Sequence, residues 1–202
     1  MADKTASDQA ILWRQYYEKV SLKPHRPITE RAVASDQSRY PVALDAGCGT
    51  GSDLAYLSRH YGQVYGFDVN DDAVQLCQTR FEPQDAVRVE QASFEHFDYP
   101  AVGVLLAHSS LYFAAPQRVE MVWQRMRDAI MQGGVFAGDF LGVRDDWAKG
   151  SHHVTSPFSM RQVERLFDGF ELLEFEERDE RGMTALGHEK HWHTFTVLAR
   201  KR

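Results

Sequence analysis

The sequence predicts an α/β protein built on one doubly wound sheet of mostly parallel strands. Short apolar stretches alternate with stretches of helical periodicity along most of the chain, which is typical of strands joined by crossover helices. One stretch, Val135–Leu141, is almost continuously apolar, as expected of a strand that helices cover on both faces. The third observation is Val42–Asp53, where an apolar strand ends in alternating glycines and a helical pattern begins.

Two helices are predicted before the first strand. Apolar and aromatic residues recur at helical spacing over Gln9–Val20. Pro24 and Pro27 separate this helix from a short second one at Ile28–Ala34. The first strand then follows at Val42–Leu44.

The next elements complete the first half of the sheet. A helix at Asp53–His60 leads to a second strand at Val64–Val69. Asn70 is predicted to cap a helix that runs to Phe81, because two acidic residues follow it and favour the positive end of the helix dipole. Further strands are predicted at Val87–Gln91 and Val102–Leu106.

Capping signals place the two later helices. Pro116 lies in the first turn of a helix that is predicted to reach Met131 and to end at Gly133-Gly134, just before the fifth strand. Ser159 and Gln162 have the spacing of a capping box, which predicts a helix at Met160–Phe167.

The last two strands are predicted at Phe170–Glu177 and Trp192–Ala199, which makes seven in all. The polar stretch Arg178–Lys190 is interpreted as a long hairpin-like connection between them. Because no crossover helix separates these strands, they are expected to pair antiparallel.

The glycine-rich turn carries most of the functional information. Glycine permits positive φ, and without a Cβ it lets a ligand lie against the main chain. The helix start after Gly51 offers free N–H groups to an anion. Asp68, at the end of the second strand, is placed to accept both hydrogen bonds of a ribose diol. The pattern therefore predicts a nucleotide-type cofactor, and a dinucleotide remains one alternative.

Asp45 favours a cationic cofactor, because a carboxylate beside the turn repels a pyrophosphate and attracts an ammonium or sulfonium group. The run Leu44–Gly51, Leu-Asp-Ala-Gly-Cys-Gly-Thr-Gly, closely resembles the first motif of class I S-adenosylmethionine-dependent methyltransferases. The resemblance implies S-adenosylmethionine as cofactor and a seven-stranded sheet of order 3-2-1-4-5-7-6 with one antiparallel strand. The predicted cofactor-binding residues are Asp45, Gly47, Cys48, Gly49, Gly51, Asp68, Val69, Ser93, Phe94 and His108.

Within that set, Ser93 stands where the resembled family often has an acid that touches the adenine amine, and Phe94 is placed to pack against the ring. An ordinary turn after the third strand is the alternative. His108 and Ser110 follow the fourth strand, where the methionine arm of the cofactor is expected to pass. The Asn/Asp-Pro-Pro-Tyr/Phe motif is absent there, which argues against N-methylation of bases or amides. A hydrolase is disfavoured because no Gly-x-Ser-x-Gly turn occurs.

A second resemblance covers the fifth strand to the C-terminus. The run Lys190-His191-Trp192-His193-x-Phe195 is similar to small bacterial methyltransferases near the tellurite-resistance group, which suggests that His191 or His193 lies near the acceptor. These two histidines share one face of a strand and could bind a metal, but no clear third ligand is present, so no metal is predicted.

Methyl transfer to a small-molecule acceptor is the predicted activity. A soft acceptor such as a thiolate or a chalcogen oxyanion needs little base catalysis, whereas an O or N acceptor must lose a proton. The candidate catalytic residues are His108, Asp139 and His191; the candidate acceptor-binding residues are Tyr17, Tyr112, Arg144 and Trp147. Asp139 has a structural alternative, pairing with Arg144 or a backbone amide. A cofactor-binding module without turnover and, third, an NAD-dependent oxidoreductase are the alternative functions.

Length and composition favour one globular domain. The chain has 202 residues, of which 43% are hydrophobic and 26% charged. We predict an N-terminal helical segment at 1–40, a candidate lid, and a cofactor-binding domain at 41–202. The net charge of −6 argues against a nucleic-acid partner. No stretch approaches a membrane span, and the two cysteines do not resemble a disulfide pair, so a cytoplasmic monomer or homodimer is expected.

Overall fold

The computed structural model describes residues 2–21, 23–82, 84–149 and 154–202, and its centre is one mixed sheet of eight strands. The strands are β1 (Val42–Ala46), β2 (Gln63–Asp68), β3 (Val87–Gln91), β4 (Val102–Ala107), β5 (Ile130–Gly142), β6 (Pro157–Phe158), β7 (Phe170–Met183) and β8 (Glu189–Lys201). Their order is β3-β2-β1-β4-β5-β8-β7, with β6 paired to the end of β5.

The strand directions confirm the predicted fold class. β8 runs antiparallel to both of its neighbours, β5 and β7, and the other paired strands are parallel. The seven long strands have the order 3-2-1-4-5-7-6 that the resemblance implied. The two-residue strand β6 was not predicted, because so short a run has no periodicity to detect.

Helices cover both faces of the sheet. They are α1 (Ala2–Val20), α2 (Pro27–Ser35), α3 (Ser52–Leu57), α4 (Asp71–Phe81), α5 (Val119–Ala129) and α6 (Met160–Leu166). On one face, residues of α5 and α6 such as Trp123 and Val163 pack with Phe136 and Phe140. On the other face, residues of α2, α3 and α4 pack against Val104 and Leu106. None of the described helices combines the length and apolarity that crossing a membrane requires.

Two predicted caps are present in the structure. The Asn70 side chain accepts a hydrogen bond from the Ala73 N–H at 3.3 Å and begins α4. The Ser159 N–H donates to Oε1 of Gln162 at 2.8 Å and begins α6.

The start of β5 was predicted wrongly. The predicted helix included Ile130 and Met131, but α5 ends at Ala129 and both residues lie in β5. Val102 pairs with Ile130, whereas Val104 already pairs with Val135, so the residues between form a bulge. Gly133 has a φ of +78° in that bulge. The glycine pair therefore shapes an irregular strand instead of ending a helix.

The prediction that Arg178–Lys190 is a polar connection was also only partly correct. β7 continues to Met183 and β8 begins at Glu189, so most of these residues form a two-stranded arm. Cross-strand ion pairs such as Arg181 with Glu189, 3.4 Å apart, stabilise the arm in place of apolar burial. Hydrophobic periodicity cannot reveal such strands.

A buried ion pair fixes the root of the arm. Nζ of Lys190 contacts Oδ1 of Asp145, and their side chains are 5% and 0% exposed. The same Nζ lies 3.7 Å and 3.8 Å from the ring centroids of Trp147 and Trp192. Asp145 also accepts backbone hydrogen bonds from Trp147 and His193 at 2.9 and 2.8 Å. The lysine thus neutralises a carboxylate that orders the chain after β5.

Replacing Lys190 with methionine is expected to lower the free energy of unfolding by about 3–5 kcal/mol, because the buried Asp145 side chain loses the lysine with which it pairs. Denaturant unfolding measures the change. The double variant Asp145→Asn/Lys190→Met is the matched control and should regain most of the loss. A cost below about 1 kcal/mol for the single variant, in the range of exposed pairs, would contradict this role.

Candidate functional site

The turn after β1 has the backbone that its glycines predicted. Gly47, Gly49 and Gly51 have φ values of +76°, +51° and +76°. The N–H groups of Gly47 and Cys48 both donate to the carbonyl of Phe67 at 2.9 Å. The end of β2 therefore fixes the course of the turn.

The three glycines meet different surroundings. A Cβ on Gly47 would collide with Cβ of Ser110, and one on Gly51 would lie 2.9 Å from Sγ of Cys77. A Cβ on Gly49 would have only Cε1 of Tyr17 nearby, at 3.6 Å. Packing thus requires Gly47 and Gly51, whereas Gly49 borders the open side of the turn.

Asp68 is joined directly to this turn. Its Oδ2 accepts the N–H of Gly49 at 3.0 Å, and its Oδ1 accepts the N–H of Asn70 at 2.9 Å. Burial raises the pKa of Asp68, while these two N–H groups act in the opposite direction. The neighbouring Val69 has an exposed side chain, and its carbonyl accepts a hydrogen bond from Gln91. Asp68 is thus the group at the end of β2 that faces the turn.

Asp45 is a buried acid among other acids. It lies at the end of β1 and is 3% exposed. Burial raises the pKa of Asp45 well above its usual range, and the charges of Asp53, Cys77 and Asp68 raise it further. Such a carboxyl group is prepared to ionise when a cation binds beside it.

Two free thiols support the turn from behind. Cys48 and Cys77 are both buried, and Sγ of Cys77 donates to the carbonyl of Gly49 at 3.1 Å. A hydrogen bond with Cys77 and burial raise the pKa of Cys48 well above its usual range. Cys48 therefore lies under the turn as a neutral thiol.

The segment after β3 contributes one residue near the turn. The Phe94 ring packs edge-on against Phe67, with centroids 5.2 Å apart, and Cζ of Phe94 would lie 3.6 Å from a Cβ on Gly47. The Ser93 hydroxyl is hydrogen-bonded to Nδ1 of His96 at 2.8 Å. The structure therefore brings Phe94 to the turn and places Ser93 in a local turn of its own.

Ser109 and Ser110 form a strained corner at the end of β4. Ser109 has a φ of +51°, which is unusual for a residue with a side chain. Its N–H and Oγ donate to Oδ2 of Asp139 at 2.9 and 3.2 Å. The Ser110 hydroxyl donates to the carbonyl of Ala46 at 2.6 Å and so fixes the corner against β1.

Asp139 holds this corner as a carboxylate. It also accepts hydrogen bonds from Thr196 Oγ1 at 2.7 Å and Arg26 Nη1 at 3.3 Å. Burial alone would raise the pKa of Asp139, but Arg26, His108 and the hydrogen bonds lower it below its ordinary value. A carboxylate with a lowered pKa orients its partners and is a weak proton acceptor.

His108 lies beside this network. Its Nε2 is 3.3 Å from Oγ1 of Thr29, and Oγ1 of Thr29 donates to Oδ1 of Asp53 at 2.5 Å. Its Nδ1 is buried and has no hydrogen-bond partner among the described residues. Burial lowers the pKa of His108, so the ring is neutral.

Sequence reasoning missed Arg26, Thr29 and Asp53 as part of the site. Asp53 had one signal, since it lies in the first turn of the helix after the glycines. Arg26 and Thr29 had none, because only the packing of α2 on the sheet brings them to the end of β4.

Aromatic side chains pack in a row from α1 to the arm. Trp13 stacks on Tyr17 and meets Phe113 edge-on, with centroids 5.8 and 5.6 Å apart; Phe113 lies 6.2 Å from Trp147. Tyr112 is buried behind Phe113, 4.8 Å away. Tyr17 was expected on the acceptor side, but the structure places its hydroxyl 3.5 Å from Oδ1 of Asp68.

The structure assigns Arg144 and His191 to the arm. Nη2 of Arg144 lies 2.8 Å from Glu177, 2.6 Å from Asp179 and 3.0 Å from Nε2 of His193. His191 pairs with Asp179 at 2.7 Å. Among the described residues, no hydrogen bond joins Arg144 or His191 to the glycine turn or to Asp139. Carboxylates of β7 attract the guanidinium of Arg144, and its place in an acceptor pocket stays a prediction.

The same arrangement addresses the metal alternative. Ligand atoms of Glu177, Asp179 and His193 lie within 4.8 Å of one another, as in a cation site. The guanidinium of Arg144 contacts all three residues and supplies a positive charge to the two carboxylates.

Comparisons with known proteins agree with this geometry. Residues 43–134 match the family model of the methyltransferase domain. No curated protein matches the chain at the level of sequence.

Three solved structures illustrate the similarity of fold. TehB from Haemophilus influenzae has a TM-score of 0.72 and 17% identity over 88% of this chain, which spans 63% of TehB. The 1,6-didemethyltoxoflavin-N1-methyltransferase from Burkholderia thailandensis, with bound 1,6-didemethyltoxoflavin and S-adenosylhomocysteine, has a TM-score of 0.68 and 17% identity over 100% and 90% of the two chains. Magnesium protoporphyrin IX methyltransferase from Synechocystis, with bound S-adenosylmethionine, has a TM-score of 0.62 and 12% identity over 87% and 76%.

The distinction between the glycines gives a stability prediction. Gly49→Ala is expected to lower the free energy of unfolding by about 1–2 kcal/mol, because alanine is strained at positive φ. Gly47→Ala should cost about 1–3 kcal/mol more, because its Cβ also meets Ser110. Denaturant unfolding of the two variants measures the difference. Equal losses would show that Gly49 is as enclosed as Gly47.

Proposed function

We propose that this protein is an S-adenosylmethionine-dependent methyltransferase that acts on a small-molecule acceptor. Residues 43–134 match the methyltransferase domain model, and the fold is similar to that of TehB, which supports the proposal. The observation that carries the proposal is the junction of Gly49 with Asp68. An open glycine peptide there adjoins a buried carboxylate at the carboxyl edge of the sheet, next to the reversal of strand order between β1 and β4.

The residues present fit S-adenosylmethionine. Asp68 would hold the ribose diol, and Gly49 leaves room for the ligand against the main chain. Asp45 would balance the positive charge of the ammonium and sulfonium groups, since a buried acid is stabilised as an anion beside a cation. Phe94 would pack near the glycine turn. When bound, the cofactor supplies an activated electrophilic methyl group.

The protein's own task is to position the acceptor and exclude water. The aromatic residues Trp13, Tyr17, Phe113 and Trp147 form a row of packed rings, and the hydroxyl of Tyr17 lies 3.5 Å from Asp68. We propose that residues 1–40 act as a lid, because Tyr17 of α1 reaches both Gly49 and Asp68. Residues 41–202 would then be the catalytic domain.

A screen of acceptors tests the activity. Purified protein is incubated with S-adenosylmethionine and with phenols, amines, thiols and selenite, and S-adenosylhomocysteine is measured. The proposal expects its release to depend on one class of acceptor. Cofactor binding with no turnover above the background for any class would favour a binding module instead.

Asp68→Ala is expected to weaken S-adenosylmethionine binding about 10- to 150-fold, the equivalent of about 1.5–3 kcal/mol, because hydrogen bonds to a charged group are lost. Equilibrium dialysis measures the dissociation constant. The matched control is Asp71→Ala, since the Asp71 side chain accepts a hydrogen bond from Gln75 on the exposed face of α4. Similar affinities of the Asp68 and Asp71 variants would remove the ribose assignment.

The raised pKa of Asp45 predicts a pH dependence of binding. Below that pKa the free protein holds Asp45 protonated, and a cationic ligand favours the ionised form. Affinity for S-adenosylmethionine should therefore rise as pH increases through the raised pKa and level off above it, and binding should release a proton. Affinity profiles of the wild type and Asp45→Asn, measured over the same pH range, isolate the effect. A persistent rise in the variant would assign it to another group.

A further inference from the structure

A short chain of hydrogen bonds fixes one ring of the site. Oδ1 of Asp53, at the start of α3, accepts the Thr29 hydroxyl at 2.5 Å and also the N–H of Arg26 at 3.1 Å. Oγ1 of Thr29, in α2, lies 3.3 Å from Nε2 of His108 at the end of β4. Side chains from α3, α2 and the end of β4 thus form one chain of hydrogen bonds, which runs from Asp53 through Thr29 to His108.

The direction of these bonds sets the tautomer of His108. The Thr29 hydroxyl has one proton and donates it to Asp53, because a carboxylate can only accept. Its oxygen must then accept from Nε2 of His108, which therefore carries the proton of the neutral ring. Nδ1 of His108 is left with its lone pair, buried and without a partner among the described residues.

We propose that Nδ1 of His108 accepts the proton of the methyl acceptor, with Thr29 and Asp53 as positioning residues, and that the acceptor carries an O–H or N–H at the methylated atom. This inference rests on the proposed methyl transfer and narrows its substrate class. It disfavours thiolates and chalcogen oxyanions, which have no such proton to remove.

The charges around His108 suit a general base that is neutral before the proton is transferred. The groups that act on His108 are Asp53 of α3, Asp139 of β5 and Arg26 before α2. Burial keeps the ring neutral, and once it has taken a proton the two carboxylates stabilise the imidazolium, while the guanidinium opposes it. Asp139 is already saturated by Ser109, Thr196 and Arg26, so His108 is better placed to receive the proton.

The step is balanced with the groups named. A new bond forms between the acceptor atom and the methyl carbon, and the S–CH₃ bond breaks with its electron pair passing to sulfur. The O–H or N–H bond of the acceptor breaks, its electrons stay on the acceptor atom, and the proton passes to Nδ1. The products are the methylated acceptor, S-adenosylhomocysteine and the imidazolium of His108, which returns its proton to solvent.

Nitrogen NMR of ¹⁵N-histidine-labelled protein tests the tautomer without any substrate. The His108 signals are assigned by their loss in His108→Asn. The inference expects an unprotonated Nδ1 and a protonated Nε2 at neutral pH. In Thr29→Val this preference should be reduced, whereas Thr29→Ser, which keeps the hydroxyl, should retain it. A wild-type ring protonated at Nδ1 would overturn the proposal.

Kinetics with catechol, histamine, 4-nitrothiophenolate, which is already ionised at neutral pH, and selenite test the acceptor class. His108→Asn should lower kcat with the O–H or N–H acceptor by about 10²- to 10⁴-fold, while the dissociation constant of S-adenosylmethionine changes less than about two-fold. Thr29→Val should lower kcat about 10- to 100-fold and change the pH profile of kcat/KM. Thr29→Ser should have the kcat and the pH profile of the wild type.

The outcomes separate this inference from the proposed function. Turnover of 4-nitrothiophenolate or selenite alone would preserve methyl transfer and overturn the role of His108. A loss of cofactor affinity in His108→Asn that equals its loss of activity would assign Nδ1 to cofactor binding. The absence of turnover with every acceptor would remove the proposed function and this inference with it.

Discussion

The site depends on the attachment of the turn after β1 to the end of β2. Two N–H groups of the turn share the carbonyl of Phe67, and a third donates to the side chain of Asp68. Gly47, Gly49 and Gly51 of this turn have the left-handed backbone that glycine adopts without strain. Because of them, Asp45 and Asp68 on neighbouring strands reach the same opening, and α3 begins directly behind it.

Electrostatics give this opening its chemical preference. Asp53 of α3 and Asp68 of β2 act on the charge of Asp45 in β1, whereas Asp139 of β5 lies beside His108 and accepts a hydrogen bond from Arg26. Their pKa values move in opposite directions, upward for the buried Asp45 and Asp68 and downward for Asp139, which has cationic and N–H partners. The acids with raised pKa values lie on the side proposed for a cationic cofactor. The carboxylate with the lowered pKa braces the corner at Ser109.

The sequence could predict the parts of the fold that obey a local rule. Strand order followed from a resemblance, the caps at Asn70 and Ser159 from side-chain chemistry, and the glycine turn from its spacing. The bulge at Gly133 and the arm beyond Glu177 obey no such rule, since a bulge breaks the period and the arm is stabilised by ion pairs. The contact of Thr29 with His108 depends on residues 79 positions apart, and it arises only when α2 packs on the sheet.

The most direct test of this account is a calorimetric titration of the full chain with S-adenosylmethionine, S-adenosylhomocysteine and NADH, each measured separately. The account predicts micromolar binding of both adenosyl ligands and no heat of binding for NADH. Binding of NADH alone would contradict it, because the acids around the glycine turn would then be accommodating a pyrophosphate.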